Sequence, residues 1–307
     1  MIGVLQGFAI IGFIIAVGFF VGRLGVLGEH APYVLSRLVF FVLTPSLLFT
    51  ILAEADVHVL FSSRLVVSAL AAIACFAIFA VIALLVFRRK LPEAVIGSLA
   101  SGYVNANNIG IPVAAYVIGD ATYSAPVVLV QLLLFAPIGL ALLGGSVGGH
   151  FSIGSVLLQT VRNPLIIASA LGVLVAVSGV SLPTFVFEPF HLLGAGAVGV
   201  LLVNFGMSLS GSRLLEPGSG RRDVVLATAL KVLVMPLVAF VLARFVFGMQ
   251  GHELFAIVVL AALPTAQNVF NYAQRYERGV VIARDTILLT TVLCIPVLVV
   301  VALLLKS

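Results

Sequence analysis

Charge is what this sequence has least of: Asp, Glu, Lys and Arg make up 9% of its 307 residues, against 62% hydrophobic. A soluble domain carries about 25% charged residues, so the composition is that of an integral membrane protein. The net charge of +5 does not mark a nucleic-acid binder, because the basic residues sit in short loops between apolar runs rather than in a patch. Cysteine is scarce too. Cys75 and Cys294 both lie inside apolar runs, which excludes a disulfide framework. No HExxH and no paired intramembrane aspartates are present, so no enzyme chemistry and no catalytic residue are visible. Without a mid-membrane Asp pair, a proton antiporter built on two carboxylates is disfavoured. Without a Walker A motif, ATP hydrolysis by this chain is excluded. His30, His58, His150 and His252 fall in loops with no ligand spacing, and Glu188 with His191 reads as a solvated pair. No metal site and no cofactor are expected.

What remains is apolar run after apolar run. At about 20 residues per crossing, ten spans are expected near 2–22, 32–53, 65–87, 94–118, 124–147, 158–178, 188–210, 224–247, 254–275 and 280–305. The first has no basic start and no small-residue cleavage site before Arg23, and reads as a retained helix. The connections are short, and no soluble domain fits between them. Loops after odd-numbered spans hold ten basic residues, including Arg88-Arg89-Lys90, Arg162, Arg213 and Arg275, whereas the other side holds Arg64, Arg244 and Lys306. Positive charge accumulates on the cytoplasmic side, so both termini are expected to face outward. Arg284-Asp285, one turn into the last span, reads as an interfacial pair.

Two spans carry polar interruptions. Asn105-Ala106-Asn107-Asn108-Ile109-Gly110-Ile111-Pro112 lies in the fourth, and Pro264-Thr265-Ala266-Gln267-Asn268-Val269-Phe270-Asn271 in the ninth. An offset of 160 aligns Asn107-Asn108 with Gln267-Asn268, and an offset of 159 aligns Pro137 with Pro296. Five spans per half is odd, so the second copy enters the membrane from the opposite side. Inverted repeats with broken helices at matching places are the pattern of a secondary transporter. On a helix, Asn105, Asn108 and Pro112 share one face with Asn107 turned away, and Thr265, Asn268 and Tyr272 share another with Asn271 beside it. Both prolines lack an N–H and crowd a carbonyl one turn back. Interhelical glue and simple kinks are the alternative reading of such amides and prolines. Two matched clusters favour a substrate site instead, with Asn105, Asn108, Pro112, Pro264, Thr265, Gln267, Asn268 and Asn271 as its residues. Lys231, about two turns into the eighth span, is the one deep charge. Three roles are open to it: snorkelling to the surface, partnering an anionic substrate, or holding backbone carbonyls.

At these residues the chain resembles the auxin efflux carrier family, which includes bacterial malonate and malate permeases and the plant PIN carriers. The motifs are Leu43-Thr44-Pro45-Ser46-Leu47-Leu48-Phe49, Asn105 with Gly110 and Pro112, Arg162-Asn163-Pro164-Leu165, Lys231 with Pro236, and Leu263-Pro264-Thr265-Ala266-Gln267-Asn268. The resemblance implies an all-α integral membrane fold of ten transmembrane helices. They form two inverted five-helix repeats, about 1–147 and 158–307, in an architecture like the sodium/proton antiporters and bile-acid symporters. Helices 4 and 9 are broken and cross near Pro112 and Pro264, with the substrate anion beside them. Scaffold helices occupy about 2–53 and 158–210, and transport helices about 65–147 and 224–305. Asn105 and Asn268 are then the first contacts expected. The long loop of PIN carriers between the fifth and sixth spans is reduced here to Gly148–Gln159, which makes auxin a poor fit. Asn107-Asn108 is more polar than the family's usual residues there and indicates a smaller, more polar anion.

The function expected is therefore a secondary or facilitative carrier of a malonate- or malate-like carboxylate, in the bacterial cytoplasmic membrane. Coupling to sodium or protons stays open. The partners expected are the small organic anion and the lipid bilayer, and no nucleic acid. Gly194-Ala195-Gly196-Ala197 could pack helices within the scaffold or between the protomers of a homodimer. A sodium-coupled bile-acid-type symporter is the related alternative, and a non-transporting receptor or assembly subunit the alternative of another class.

Overall fold

The computed structural model describes residues 2–54, 63–146, 161–180, 182–210 and 220–305, with Gly154 and Leu158 as isolated positions; for residues 2–8, 146 and 208 it describes the backbone alone. Most of the connection at 148–159, the 211–219 part of the longest loop, and His58, His150, Arg213 and Lys306 lie outside the described residues. The described residues are all-helical. We number the helices α1 (Ile2–Leu24), α2 (Ala31–Ala53), α3 (Ser63–Val86), α4 (Leu91–Gly102), α5 (Ala106–Ile118), α6 (Ala121–Gly145), α7 (Pro164–Ser178), α8 (Thr184–Ser210), α9 (Arg221–Val246), α10 (Gly251–Ala261), α11 (Asn268–Tyr276) and α12 (Val280–Leu305). Six of them, α2, α3, α6, α8, α9 and α12, are long and apolar enough to cross a membrane. The expected fourth and ninth spans are each cut in two, into α4 and α5 and into α10 and α11.

Pro264 lies in a break, as expected, but Pro112 does not. Four π turns, Val39–Leu43, Ala106–Gly110, Gln131–Phe135 and Leu230–Val234, each begin six residues before a proline: Pro45, Pro112, Pro137 and Pro236. A proline has no N–H to give and its ring crowds the carbonyl four residues back. Widening the helix to i→i+5 bonding relieves both, so the chain stays helical through the proline. Pro189 and Pro296 sit inside helices without such a turn.

A second local device recurs 160 positions apart. α3 and α9 both end in a π turn, Ile82–Val86 and Leu242–Val246. The N–H of Phe87 donates to the Ile82 carbonyl at 3.0 Å and that of Arg89 to Ala83 at 2.8 Å; Phe247 to Leu242 and Met249 to Ala243 repeat both distances. The residue that reverses the chain has positive φ in each case, 54° at Arg88 and 66° at Gly248.

Packing sorts the helices into two groups. α1 lies along α8, while α2 packs on α7 and α8. α3, α4, α9, α10 and α12 pack on one another, and α11 rests on α4 and α12. α5 leans from the second group onto α1 and α8. Phe79, Ile96 and Phe255 fill the interior of the second group, while Phe13, Leu85, Phe185 and Phe245 point outward, as a lipid-facing surface requires. Charge is paired near the helix ends. Arg64 meets Glu253 at 2.8 Å and lies over the Tyr123 ring, Arg89 meets Asp223 at 2.6 Å, and Arg284 meets Asp285 at 2.7 Å, the pair expected from the sequence.

Candidate functional site

Where α4 stops, Tyr103 turns extended, with φ −80° and ψ 103°. Val104 then pairs antiparallel with Thr265 across the gap between α10 and α11. The Asn105 N–H donates to the Pro264 carbonyl at 2.8 Å, and the Ala266 N–H to the Tyr103 carbonyl at 2.9 Å. Pro264 suits this place because it offers a carbonyl and carries no N–H that would need a partner. A membrane interior leaves no polar backbone group to water, so every group freed at the crossing needs a protein partner. Gln131 Nε2 donates to the Val104 carbonyl at 2.8 Å, and the Thr265 N–H donates to Thr290 Oγ1 at 3.1 Å. Gln131 on α6 and Thr290 on α12 are 159 positions apart, the offset that also aligns Pro137 with Pro296.

The half-helix C-termini are closed by protein donors. Thr265 Oγ1 donates to the Ala100 carbonyl near the end of α4 at 2.6 Å. Lys231 Nζ, fully buried, donates to the Ala261 carbonyl at the end of α10 at 2.8 Å and lies 3.2 Å from Met235 Sδ. A cation at a helix C-terminus meets the negative end of the macrodipole. The geometry therefore places Lys231 against the Ala261 carbonyl, away from the surface and away from the cavity described next.

The half-helix N-termini point the other way, into a cavity of about 850 Å³. At the start of α5, Asn105 has left helical geometry (φ −75°, ψ 59°) and its Oδ1 accepts from the Asn108 N–H at 3.1 Å, an N-cap. Asn105 is 2% exposed, and its Nδ2 has no hydrogen-bond partner among the described residues; neither has the buried Oδ1 of Asn107. Asn107 Nδ2 donates to Asn108 Oδ1 at 3.1 Å, and both side chains line the cavity. Opposite them, Asn268, Asn271, Tyr272 and Arg275 on α11, with Gln267 before it, line the same space. Their spacing of i, i+3, i+4 and i+7 is one helical face.

Of the residues singled out from the sequence, Asn108, Gln267, Asn268 and Asn271 come together on the cavity wall. Asn105 lies beneath it as a cap, and Thr265 ties α11's approach to α4. Pro112, Pro264 and Lys231 are not among its lining residues. The helical-face expectation for Asn105 and Thr265 differs from the structure because neither residue is helical: both lie in the paired gap. For the same reason Asn107, expected to turn away, reaches the cavity. Sequence reasoning passed over Gln131, Arg37 and Arg162, all cavity-lining. Gln131 could have been found as the lone amide in the 124–147 run, and Arg37 as a basic residue well inside the 32–53 run.

The lining has a definite electrostatic character. Eight amides (Asn107, Asn108, Gln131, Asn163, Asn204, Gln267, Asn268 and Asn271) and three guanidinium groups (Arg37, Arg162 and Arg275) line it, and among the described residues no carboxylate does. The positive ends of α5 and α11 add to the same sign. The lining is electropositive.

Residues 4–143 and 150–302 match the membrane transport protein family. An uncharacterized transporter of Methanothermobacter thermautotrophicus is 28% identical over 286 residues, 91% of each chain. One of Methanocaldococcus jannaschii is 24% identical over 289 residues, again 91% of each chain. The uncharacterized transporter YfdV of Escherichia coli is 26% identical over 273 residues, 86% of this chain and 85% of that one. Family and relatives are transporters, not enzymes, and the several apolar helices make this a multi-pass membrane protein. With the match covering nearly the whole length, this chain belongs to the membrane transport protein family, the auxin efflux carriers that its motifs resemble.

Proposed function

We propose that this protein carries a small organic anion, of malonate or malate type, across the bacterial cytoplasmic membrane by alternating access. One observation carries the reading: among the described residues, the cavity at the helix crossing is lined by amides and guanidiniums and by no carboxylate. Amides bind a carboxylate without fixing a charge in the membrane, so the site empties as readily as it fills. In this reading the ten expected spans form two inverted five-helix repeats. The matching ends of α3 and α9, the reciprocal pairing of the two gaps, and the equivalence of Gln131 and Thr290 all support it. The helices α1, α2, α7 and α8 act as scaffold and the others as the moving body. In the same reading, the distribution of basic residues puts the mouth beside Arg162 and Arg275 on the cytoplasmic side.

A sodium-coupled symporter of the bile-acid type would use the C-terminal carbonyls of its broken helices to hold the cation. Here Lys231 and Thr265 already occupy the Ala261 and Ala100 carbonyls, which favours transport without sodium at that place.

The test is flux into proteoliposomes of malonate, malate and indole-acetate, wild type beside Asn105→Ala and Asn268→Ala. We expect malonate or malate to move faster than indole-acetate. Loss of one hydrogen bond to a charged substrate, worth about 1.5–3 kcal/mol, should slow Asn268→Ala about tenfold or more. Flux indifferent to both substitutions would place the site elsewhere. Binding with no flux of any anion would instead identify a receptor.

A further inference from the structure

The three arginines of the cavity stand on different bodies. Arg37 comes from α2, and Arg162 precedes the first residues of α7; these two helices pack on each other. Arg275 comes from the last turn of α11, which packs on α4 and α12 instead. Arg37 is oriented by aromatic neighbours: its Nη1 donates to the Tyr33 hydroxyl at 3.1 Å, and its guanidinium lies 5.1 Å from the Phe41 ring centroid. These contacts hold the group in place, and among the described residues no carboxylate lines the cavity beside it. Arg162 is placed by the start of α7, where Asn163 Oδ1 accepts from the Leu165 N–H at 2.9 Å and Pro164 opens the helix.

We infer that these arginines count the charges of the substrate: the cavity closes over an anion carrying at least two negative charges, one for each wall. The inference rests on the carrier reading and adds to it the residues that set the charge of the anion. Narrowing the cavity brings like charges together and strips water from them, and both effects oppose closure of the empty site. A monoanion held by the α5 and α11 amides answers one wall only. A dianion answers both, with one carboxylate among the amides and Arg275 and the other forked against Arg37 or Arg162. The ligand thus favours the closed form by contacts that the open form cannot make, which is what a ligand-driven shift requires. The amides supply shape and the arginines supply the charge threshold.

Malonate and its monoamide share a skeleton and differ by one charge at neutral pH. The test compares their initial rates in the same proteoliposomes at fixed ionic strength, for wild type, Arg37→Gln, Arg37→Lys and Arg162→Gln. We expect wild type to prefer malonate by about tenfold or more, as expected for one charge-assisted pair. Arg37→Gln or Arg162→Gln should bring the ratio towards one, and Arg37→Lys should retain most of the preference. A ratio within one sample does not depend on how much protein is folded. If both anions move and the ratio is the same in all four proteins, the charge-counting role is overturned while the carrier reading stands. If wild type moves neither anion, the carrier reading fails and this inference with it.

Discussion

Gly206→Ala is expected to be among the most damaging single-methyl changes in the protein. A Cβ at Gly206 on α8 would lie 2.1 Å from the Ile15 carbonyl oxygen and 2.8 Å from the Phe19 nitrogen of α1. Both are backbone atoms and cannot swing aside. The contact is reciprocal: a Cβ at Gly18 would lie 2.2 Å from the Val203 carbonyl oxygen. Helices in lipid associate through close packing of small residues rather than through a hydrophobic driving force, so a wedge here removes the association itself. Overpacking of this kind costs about 1–3 kcal/mol even where side chains can adjust. α5 leans on both helices, so their separation also tilts the floor of the cavity. The measurement is thermal unfolding in detergent beside Gly196→Ala, on the same helix with nothing within 4 Å of the added Cβ. A clear fall in Tm for the first and none for the second is expected; equal stability would contradict the packing.

The second large effect is expected at Arg89→Met. Asp223 is fully buried at the first turn of α9, and Arg89 reaches it with Nε at 3.2 and 3.1 Å and Nη2 at 2.6 Å. Removing the arginine strands a buried carboxylate, which costs about 3–5 kcal/mol in general. The lower end applies because the Arg89 side chain is 32% exposed and partly screened. The contact ties the connection after α3 to the start of α9, so it fastens the two expected halves of the moving body. Arg89→Met together with Asp223→Asn should recover most of the loss, since no stranded charge remains. A double variant as unstable as the single one would show that the pair does not act through charge.

Much of this arrangement is legible in the residues. The two polar stretches announce the interrupted helices, since amides and proline in an apolar run mark backbone that is buried in protein or lines a cavity. Asn268 and Asn271 reach the cavity on the helical spacing that the sequence displays. Asn105 does not follow that spacing, because its own backbone is held by Pro264 across the gap, and no local pattern reveals a pairing 159 residues distant. Lys231 is a similar case. Its depth is plain from the sequence, but its choice of the Ala261 carbonyl depends on where α10 ends. Pro112 misleads for a local reason: a π turn absorbs it, so that break falls at Tyr103–Asn105, whereas Pro264 lies inside the other break, Ala262–Gln267.

Substrate protection of a single cysteine tests the site most directly. Asn271 is exposed on the cavity face of α11, whereas Cys75 and Cys294 are buried, so Asn271→Cys supplies one reactive thiol on a quiet background. A membrane-impermeant thiol reagent should label it from the side bearing Arg162 and Arg275. Malonate, at concentrations that saturate flux, should slow that labelling several-fold by occupying the space between α5 and α11. Labelling at the same rate with and without a transported anion would contradict the placement of the substrate in this cavity.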